Sequence, residues 1–343
     1  MRCDSPVYLS SPATALGEHE QTAAEAVAQL LISEGDAARC GYTGLRTSEL
    51  APVQLAERSA ARTLAAAGVP AIGISRLLHA FTYHQGHEFW SPAHYLAHRI
   101  GALAAEPVGI TQMGNGGMAA IGQAARELLA DPQASELLVT TADCFPAPGF
   151  DRWGGDHWAC YGDAATSVLV TRTPRGPSAR LLSTATVAAP ALEGMHRGDA
   201  PFSTAPLSGV KALLPRVAER EFLVANPELD FGPIALDAVT AAVSRALRSA
   251  RVAPDDPRLR AAALPRLARH VTARAYEPAF RQVCAAPVIE LGSGTGHLGA
   301  GDAIANLADL LDGGSLRPAD LVVLLSAGAG FTWSAAIVEV ASR

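Results

Sequence analysis

Short apolar runs rich in β-branched residues alternate along this chain with longer Ala/Leu/Arg segments of helical period. Val7 to Ser10, Leu77 to Phe81, Leu137 to Ala142 and Ser167 to Thr171 read as strands in the first half. Pro287 to Leu291, Leu321 to Ser326 and Ala335 to Val340 read as strands in the second. Pro52 to Ala67 reads as a helix, because Pro suits a first turn and Gly68 follows where a left-handed cap fits. Ala235 to Ala250 reads as another helix, with Asp237 in its first turn. This alternation predicts an α/β protein with helix-covered sheets. Pro174-Arg175-Gly176-Pro177 marks the predicted boundary between two halves, residues 1–174 and 175–343. Segment 190–210 is rich in Pro, Gly and Ser and has no period, so it reads as a surface loop or a flap over a pocket. The halves correspond weakly: each has a strand, a Gly-rich turn and an Ala/Leu helix, over Gly109 to Leu129 and Ile289 to Leu311.

Composition narrows the class. The chain has 343 residues, 49% hydrophobic and 17% charged, which suffices for a large core and excludes global disorder. Its net charge of -6 argues against sequence-independent nucleic-acid binding. No apolar run approaches the roughly 20 residues that span a bilayer, and the start lacks a signal-peptide pattern. A cytoplasmic, soluble protein without membrane or nucleic-acid partners is therefore expected. The five cysteines are odd in number and widely spaced, which suits neither a disulfide framework nor a zinc site. Lys211 is the sole lysine, so Schiff-base chemistry has no other candidate.

Three glycine-rich turns carry the candidate chemistry. The first, Gln112-Met113-Gly114-Asn115-Gly116-Gly117, leads from a strand into a helix. Backbone N–H groups at a helix start carry about half a positive charge and suit a nucleophile or a developing oxyanion. Packing glycines in a tight turn would account for the same residues. The second turn, Gly292-Ser293-Gly294-Thr295-Gly296-His297-Leu298-Gly299-Ala300-Gly301-Asp302, sets His297 at the mouth of another helix. A histidine there can act as general base near neutral pH, with Asp302 orienting it or complementing the helix dipole. Its imperfect GxGxxG lacks the context of a dinucleotide site. The third, Gly328-Ala329-Gly330-Phe331-Thr332-Trp333-Ser334, lies between two strands, as an oxyanion loop or a plain hairpin turn. The histidines His79, His84, His87, His94 and His98 lack metal-site spacing and are read as pocket wall or surface, so no metal is expected.

In this order the turns resemble 3-oxoacyl-[acyl-carrier-protein] synthase III of the thiolase superfamily. The last turn is similar to the family's Gly-rich "LTWG" loop, and Tyr161-Gly162-Asp163-Ala164 is similar to its "GDGA" strand entry. Gly296 to Asp302 falls where the family has "GNTSAA", and the first turn where its nucleophilic cysteine precedes a helix. The resemblance implies a five-layered αβαβα fold of two pseudo-symmetric halves, usually a homodimer. It also implies an acyl carrier protein or coenzyme A thioester as substrate, with no tightly bound cofactor.

The departures from the family shape the functional expectation. Family members carry Cys, His and Asn. Here Gly114 falls at the cysteine position and His297 at the asparagine position, and Leu264-Pro265-Arg266 replaces "VPH", with His270 four residues on. Cys144 and Cys160 lie away from the elbow and read as buried fillers. The expectation is an acyltransferase of specialised metabolism, such as antibiotic biosynthesis, that moves an acyl group to a small-molecule acceptor without a cysteine-linked intermediate. His297 would be the base, Asp302 its orienting partner, and the N–H groups near Gly114 and Gly330 the oxyanion donors. Asn115, Arg266 and Thr332 would contact substrate. The alternatives are a non-catalytic partner subunit or acyl-chain binder, and a cyclase or hydrolase using the same cavity.

Overall fold

The computed structural model describes residues 1–204 and 212–342, so Lys211 lies outside the described residues. In chain order the strands are β1 (Tyr8–Leu16), β2 (His19–Thr22), β3 (Gly44–Thr47), β4 (Arg76–Ala80), β5 (Glu106–Ile110), β6 (Glu136–Asp143), β7 (Ala164–Thr171), β8 (Ser178–Ala188), β9 (Leu259–Ala263), β10 (Leu321–Gly328) and β11 (Thr332–Ser342). β2 and β3 pair separately, and the other nine form one sheet in the order β5-β4-β6-β7-β1-β8-β11-β10-β9. β4 runs parallel to β5 and β6, whereas β7 is antiparallel to β6 and β1. The other side repeats this pattern. β9 runs parallel to β10 and makes a parallel bridge from Ala262 to Val288, and β11 is antiparallel to β10 and β8. The two sets join where β1 pairs with β8, Tyr8 opposite Arg180. Residues 174–177 lie in the turn between β7 and β8.

Strands β6, β7 and β10 are buried on both faces, so alternate residues feed different cores. Val139, Val168, Val322 and Leu324 point to a central core with Ile121 and Leu128 of the Gly116–Ala130 helix and Ile304 and Leu307 of the Asp302–Asp312 helix. Leu138 and Leu169 point the other way, onto Leu55 and Leu64 of the Pro52–Ala67 helix. Leu321, Val323 and Ile337 face Val239 and Val243 of the Phe231–Ala250 helix. Helices outside, two sets of strands, and two helices between them give the five layers that the resemblance implies.

Local chemistry sets the helix ends. Pro52 opens its helix and Gly68, at φ 64°, closes it as predicted. The helix predicted from Ala235 starts at Phe231 instead, because Asp230 caps it by accepting from the Gly232 N–H at 3.0 Å. Asp237 therefore falls in the second turn. Pro287 to Leu291 is not a strand. It is reduced to the single Val288 bridge, since Pro287 has no N–H to donate and Gly292 turns the chain at φ 85°. Sequence patterning also missed β8 and β9, whose alanines and polar residues dilute the apolar run.

One buried carboxylate ties the layers together beside the turns. Asp143, at the end of β6, accepts from the N–H groups of Thr82 (2.8 Å), Tyr83 (3.0 Å) and Ala300 (2.9 Å). Burial nevertheless pushes its carboxyl up to about 6. Asp143→Ala strands one buried donor and two half-buried ones, and is expected to cost about 2–4 kcal/mol of stability, read as a lower urea midpoint. An unchanged midpoint would mean that the three donors find other partners.

Candidate active site

The three glycine turns meet at the starts of the two central helices. Met113–Asn115 forms a short 3₁₀ turn ahead of the Gly116–Ala130 helix, and Gly299–Gly301 does the same ahead of the Asp302–Asp312 helix. β10 and β11 close over them as a hairpin with Gly328 opposite Thr332. The approach of these segments is as close as backbone allows. A Cβ built on Gly114 would lie 2.5 Å from the Ala327 carbonyl oxygen and 3.3 Å from Nε2 of His297. Glycine at 114 is thus required by the packing, and the imidazole edge faces that position. Met113, one residue earlier, holds a left-handed φ of 48°, an uncommon conformation for a side chain of its size.

His297 is held from both sides. Its backbone N–H donates to the Cys160 carbonyl at 2.9 Å, and its carbonyl accepts from Gly162 N–H at 2.9 Å. Its ring is buried, and Nδ1 lies 2.6 Å from Oδ2 of Asp302. A carboxylate can only accept, so the neutral ring carries its proton on Nδ1 and leaves the Nε2 lone pair toward Gly114. Burial would lower the imidazole pKa, but the Asp302 charge and hydrogen bond outweigh it and hold it above the ordinary value. Burial would raise Asp302, but the His297 charge and hydrogen bond hold its carboxyl below the usual carboxylate range. Asp302 is fixed in turn by the N–H groups of Leu298 (2.9 Å) and Arg266 (2.7 Å).

Nε2 looks into a cavity of about 90 Å³ lined by Gly114, His297, Tyr161, Asp156, His196 and Phe331, among others. An apolar cavity of about 150 Å³ takes up benzene, so this space suits a small group. The Tyr161 ring meets the His297 ring edge-on at 5.3 Å between centroids. Its hydroxyl donates to Asp156 Oδ2, and Asp156 Oδ1 accepts from Trp158 N–H at 2.9 Å. Burial, then the Asp156 charge, keeps the Tyr161 phenol protonated well above its usual range. Burial lowers the pKa of His196, whose Nε2 is buried without a partner among the described residues. Sequence reasoning missed Tyr161, Asp156 and His196 as site residues. The usable signals were the strand-entry motif, which Tyr161 opens, and the unpatterned segment 190–210, which supplies His196.

The remaining sequence-predicted residues are placed differently. Arg266 is turned away from the cavity as a buried strut. Nε meets Asn306 Oδ1 (2.8 Å), one terminal nitrogen meets Thr295 Oγ1 (2.9 Å) and the other Asp309 (2.5 Å). Each of its three nitrogens is thus engaged within the protein, and Arg266 does not line the cavity. Asn115 is also buried, donating to Gln112 Oε1 at 2.6 Å, and makes no side-chain cap to its helix. Thr332 sits on β11 opposite Ala188 and does not line the cavity. Gly330 does not either: Ala327, Gly328, Ala329 and Phe331 of the same turn do, because the hairpin tips Gly330 outward. His270 lies on a neighbouring cavity, away from His297. His79 is buried between Thr140 and Gln85, and His84 and His94 pair with Glu88 and Ser91. Among the described residues no group of three His, Cys, Asp or Glu could hold a metal. Burial raises the Cys144 thiol, and neither Cys144 nor Cys160 lines the cavity. No helix among the described residues is long and apolar enough to cross a membrane.

Comparison with known proteins agrees with this geometry. Residues 286–340, which hold the second and third turns, match the family described as 3-oxoacyl-[acyl-carrier-protein (ACP)] synthase III C terminal. No curated protein matches the chain by sequence. Among solved structures, ChlB3, described as an acyltransferase, superimposes with a TM-score of 0.90 at 26% identity, over 98% of each chain. The 3-oxoacyl-[acyl-carrier-protein] synthase III of Aquifex aeolicus VF5 gives 0.77 at 18% identity, over 97% of this chain and 99% of that one. OleA of Xanthomonas campestris, with bound lauric acid and lauroyl-CoA, gives 0.74 at 16% identity, over 98% and 99%. The chain therefore has the fold of the 3-oxoacyl-[acyl-carrier-protein] synthase III structures, and its residues 286–340 match the C-terminal part of that family.

Proposed function

We propose that this protein is an acyltransferase that moves a small acyl group directly from a carrier-protein or coenzyme A thioester to an acceptor, with no acyl-enzyme on the way. The observation that carries this reading is the His297–Asp302 pair aimed at a glycine: a polarised base faces the elbow, and the elbow bears no nucleophile. His297 Nε2 takes the proton from the acceptor O–H or N–H as that atom attacks the thioester carbonyl. The tetrahedral oxyanion is met by backbone N–H groups at the start of the Gly116–Ala130 helix, where the helix dipole is positive. The C–S bond then breaks, and the leaving thiolate takes the proton back from the imidazolium. Tyr161, held by Asp156, offers a second hydrogen-bonding group in the cavity. Asp302 positions the imidazole, and Arg266 positions Asp302 through its backbone N–H.

The acyltransferase description of ChlB3 favours this reading over a condensing enzyme. We place the protein in specialised metabolism, such as antibiotic biosynthesis, as a cytoplasmic homodimer. Five unpaired thiols suit a reducing compartment, and edge strand β5 leaves backbone groups open for a second copy. Intact-mass spectrometry during turnover of an acetyl thioester tests the mechanism. Product should form while the protein mass stays unchanged. An acetyl adduct on any cysteine that forms and decays at the turnover rate would overturn direct transfer.

A further inference from the structure

The five thiols take no part in the chemistry above, and two of them meet. Cys40 ends the Glu34–Cys40 helix, which Gly41 caps at φ 79°. Cys160 precedes Tyr161 on the segment that holds His297. The two side chains pack in the same core cluster and touch through hydrogen bonding between their thiols. Burial, then Cys160, Asp302 and Cys40, push up the neighbouring Tyr42 phenol, which donates to the Arg266 carbonyl at 2.8 Å. The pair therefore lies beside the Arg266 strut and the Asp302 carboxylate. Cys40 is half-buried, whereas Cys3, Cys144, Cys160 and Cys284 are buried. Burial raises the thiols of Cys3, Cys144 and Cys284. Contact with Cys160 instead lowers that of Cys40, the direction that favours a thiolate. Cys160 is raised, first by that same contact and then by burial, and its Sγ lies 3.5 Å from the Trp153 carbonyl oxygen.

A reachable, more acidic thiol touching a buried one is the arrangement of an attacking cysteine beside its resolving partner. The Cys40 thiolate attacks a hydroperoxide oxygen, the O–O bond breaks, and the departing oxygen takes a proton and leaves as water or an alcohol. Cys40 then carries a sulfenic acid. Its negative charge is gone, and with it the first cause of the rise at Cys160. The Cys160 sulfur attacks the Cys40 sulfur while its proton passes to the departing hydroxyl. The S–O bond breaks and water leaves. In all, two thiols lose two electrons and the hydroperoxide gains them. A sulfur–sulfur bond is about 2.05 Å long, shorter than any contact between thiols, so closing it draws the two segments together. The Cys160 carbonyl accepts from the His297 N–H at 2.9 Å, so that movement reaches the imidazole.

We propose that Cys40 and Cys160 form a hydroperoxide-sensitive modification site, which closes to a disulfide and shifts the segment that holds His297. The site stands apart from the transfer reading, and its test needs no thioester. The full-length protein is treated with a small excess of hydrogen peroxide, alkylated in denaturant and digested with trypsin without reductant. The five titratable thiols should fall by two. Peptides 40–46 and 153–172 should appear as one linked species that dithiothreitol separates. Cys40→Ser should keep its remaining thiols through the treatment, and Cys160→Ser should leave Cys40 as a sulfenic acid that dimedone captures. In the intact protein, the ring resonances of His297, assigned by their loss in His297→Ala, should move on oxidation and return with dithiothreitol. Absence of the linked pair, a covalent dimer in its place, or loss of two thiols from Cys40→Ser would overturn the site. A linked pair with unmoved His297 resonances would overturn its coupling to the imidazole. The linkage is read on the wild type, so a variant that fails to fold leaves the outcome decided.

Discussion

Replacing His297 by alanine is expected to lower kcat/KM for acyl transfer by about 10²–10⁴-fold with the fold intact. The imidazole is the basic group whose free nitrogen faces the elbow, 3.3 Å from where a Gly114 side chain would begin. Its pKa sets the sign of the pH dependence. Asp302 holds it above the ordinary histidine value, so the active, neutral form is lost as pH falls through that raised value. The rate should therefore drop on the acid side, with the midpoint above about 6.5. Asp302→Asn removes the charge that raises the imidazole and frees the other tautomer. It should move the midpoint to lower pH and reduce kcat by a factor approaching that of His297→Ala. Full turnover in His297→Ala, checked with the same thioester and acceptor, would remove the general-base role altogether.

The second large effect is expected from adding a single methyl group. Gly114→Ala puts a Cβ 2.5 Å from the Ala327 carbonyl oxygen, which belongs to the backbone of β10 and cannot rotate aside. Alanine is the better helix former by up to about 1 kcal/mol, but here the overlap wins. Either the elbow or the β10–β11 hairpin must shift, and both line the cavity. The expected result is a loss of about 1–3 kcal/mol in stability, read by thermal unfolding, and a fall in kcat of about 10–100-fold. Unaltered stability and kinetics in Gly114→Ala would show that the elbow can open, and that the absent side chain has no structural cause. A cysteine at this position meets the same obstacle with a larger group.

The fold was legible wherever strands are buried on both faces. Leu137 to Val139 and Leu321 to Leu325 are unbroken apolar runs because each side of the strand meets a helix layer, and no solvent face imposes alternation. The helix at Pro52 was legible because its caps are local: proline and glycine act within one turn. Ala-rich β9 and polar β8 were not, since what makes them strands is the neighbour on either side. In the site, His297 and Asp302 are five residues apart, and a turn at a helix mouth suffices to pair them. Arg266 could be seen as a departure, but not as a strut, because its partners Thr295, Asn306 and Asp309 come from elsewhere in the chain. Asp156 and His196 gave no residue pattern of their own, and Tyr161 opened a motif without being marked as a site residue.

By itself the sequence determined an α/β protein with helix-covered sheets, the three glycine turns and a histidine beside an aspartate, since each depends on contacts within a few residues or on a repeated burial pattern; the five layers followed only from the resemblance to a known family. The tertiary structure alone decided which turn residues face the cavity and that Gly114 is closed by the Ala327 carbonyl. Those facts depend on backbones more than a hundred residues apart meeting within a few ångströms, and no local pattern encodes such distances.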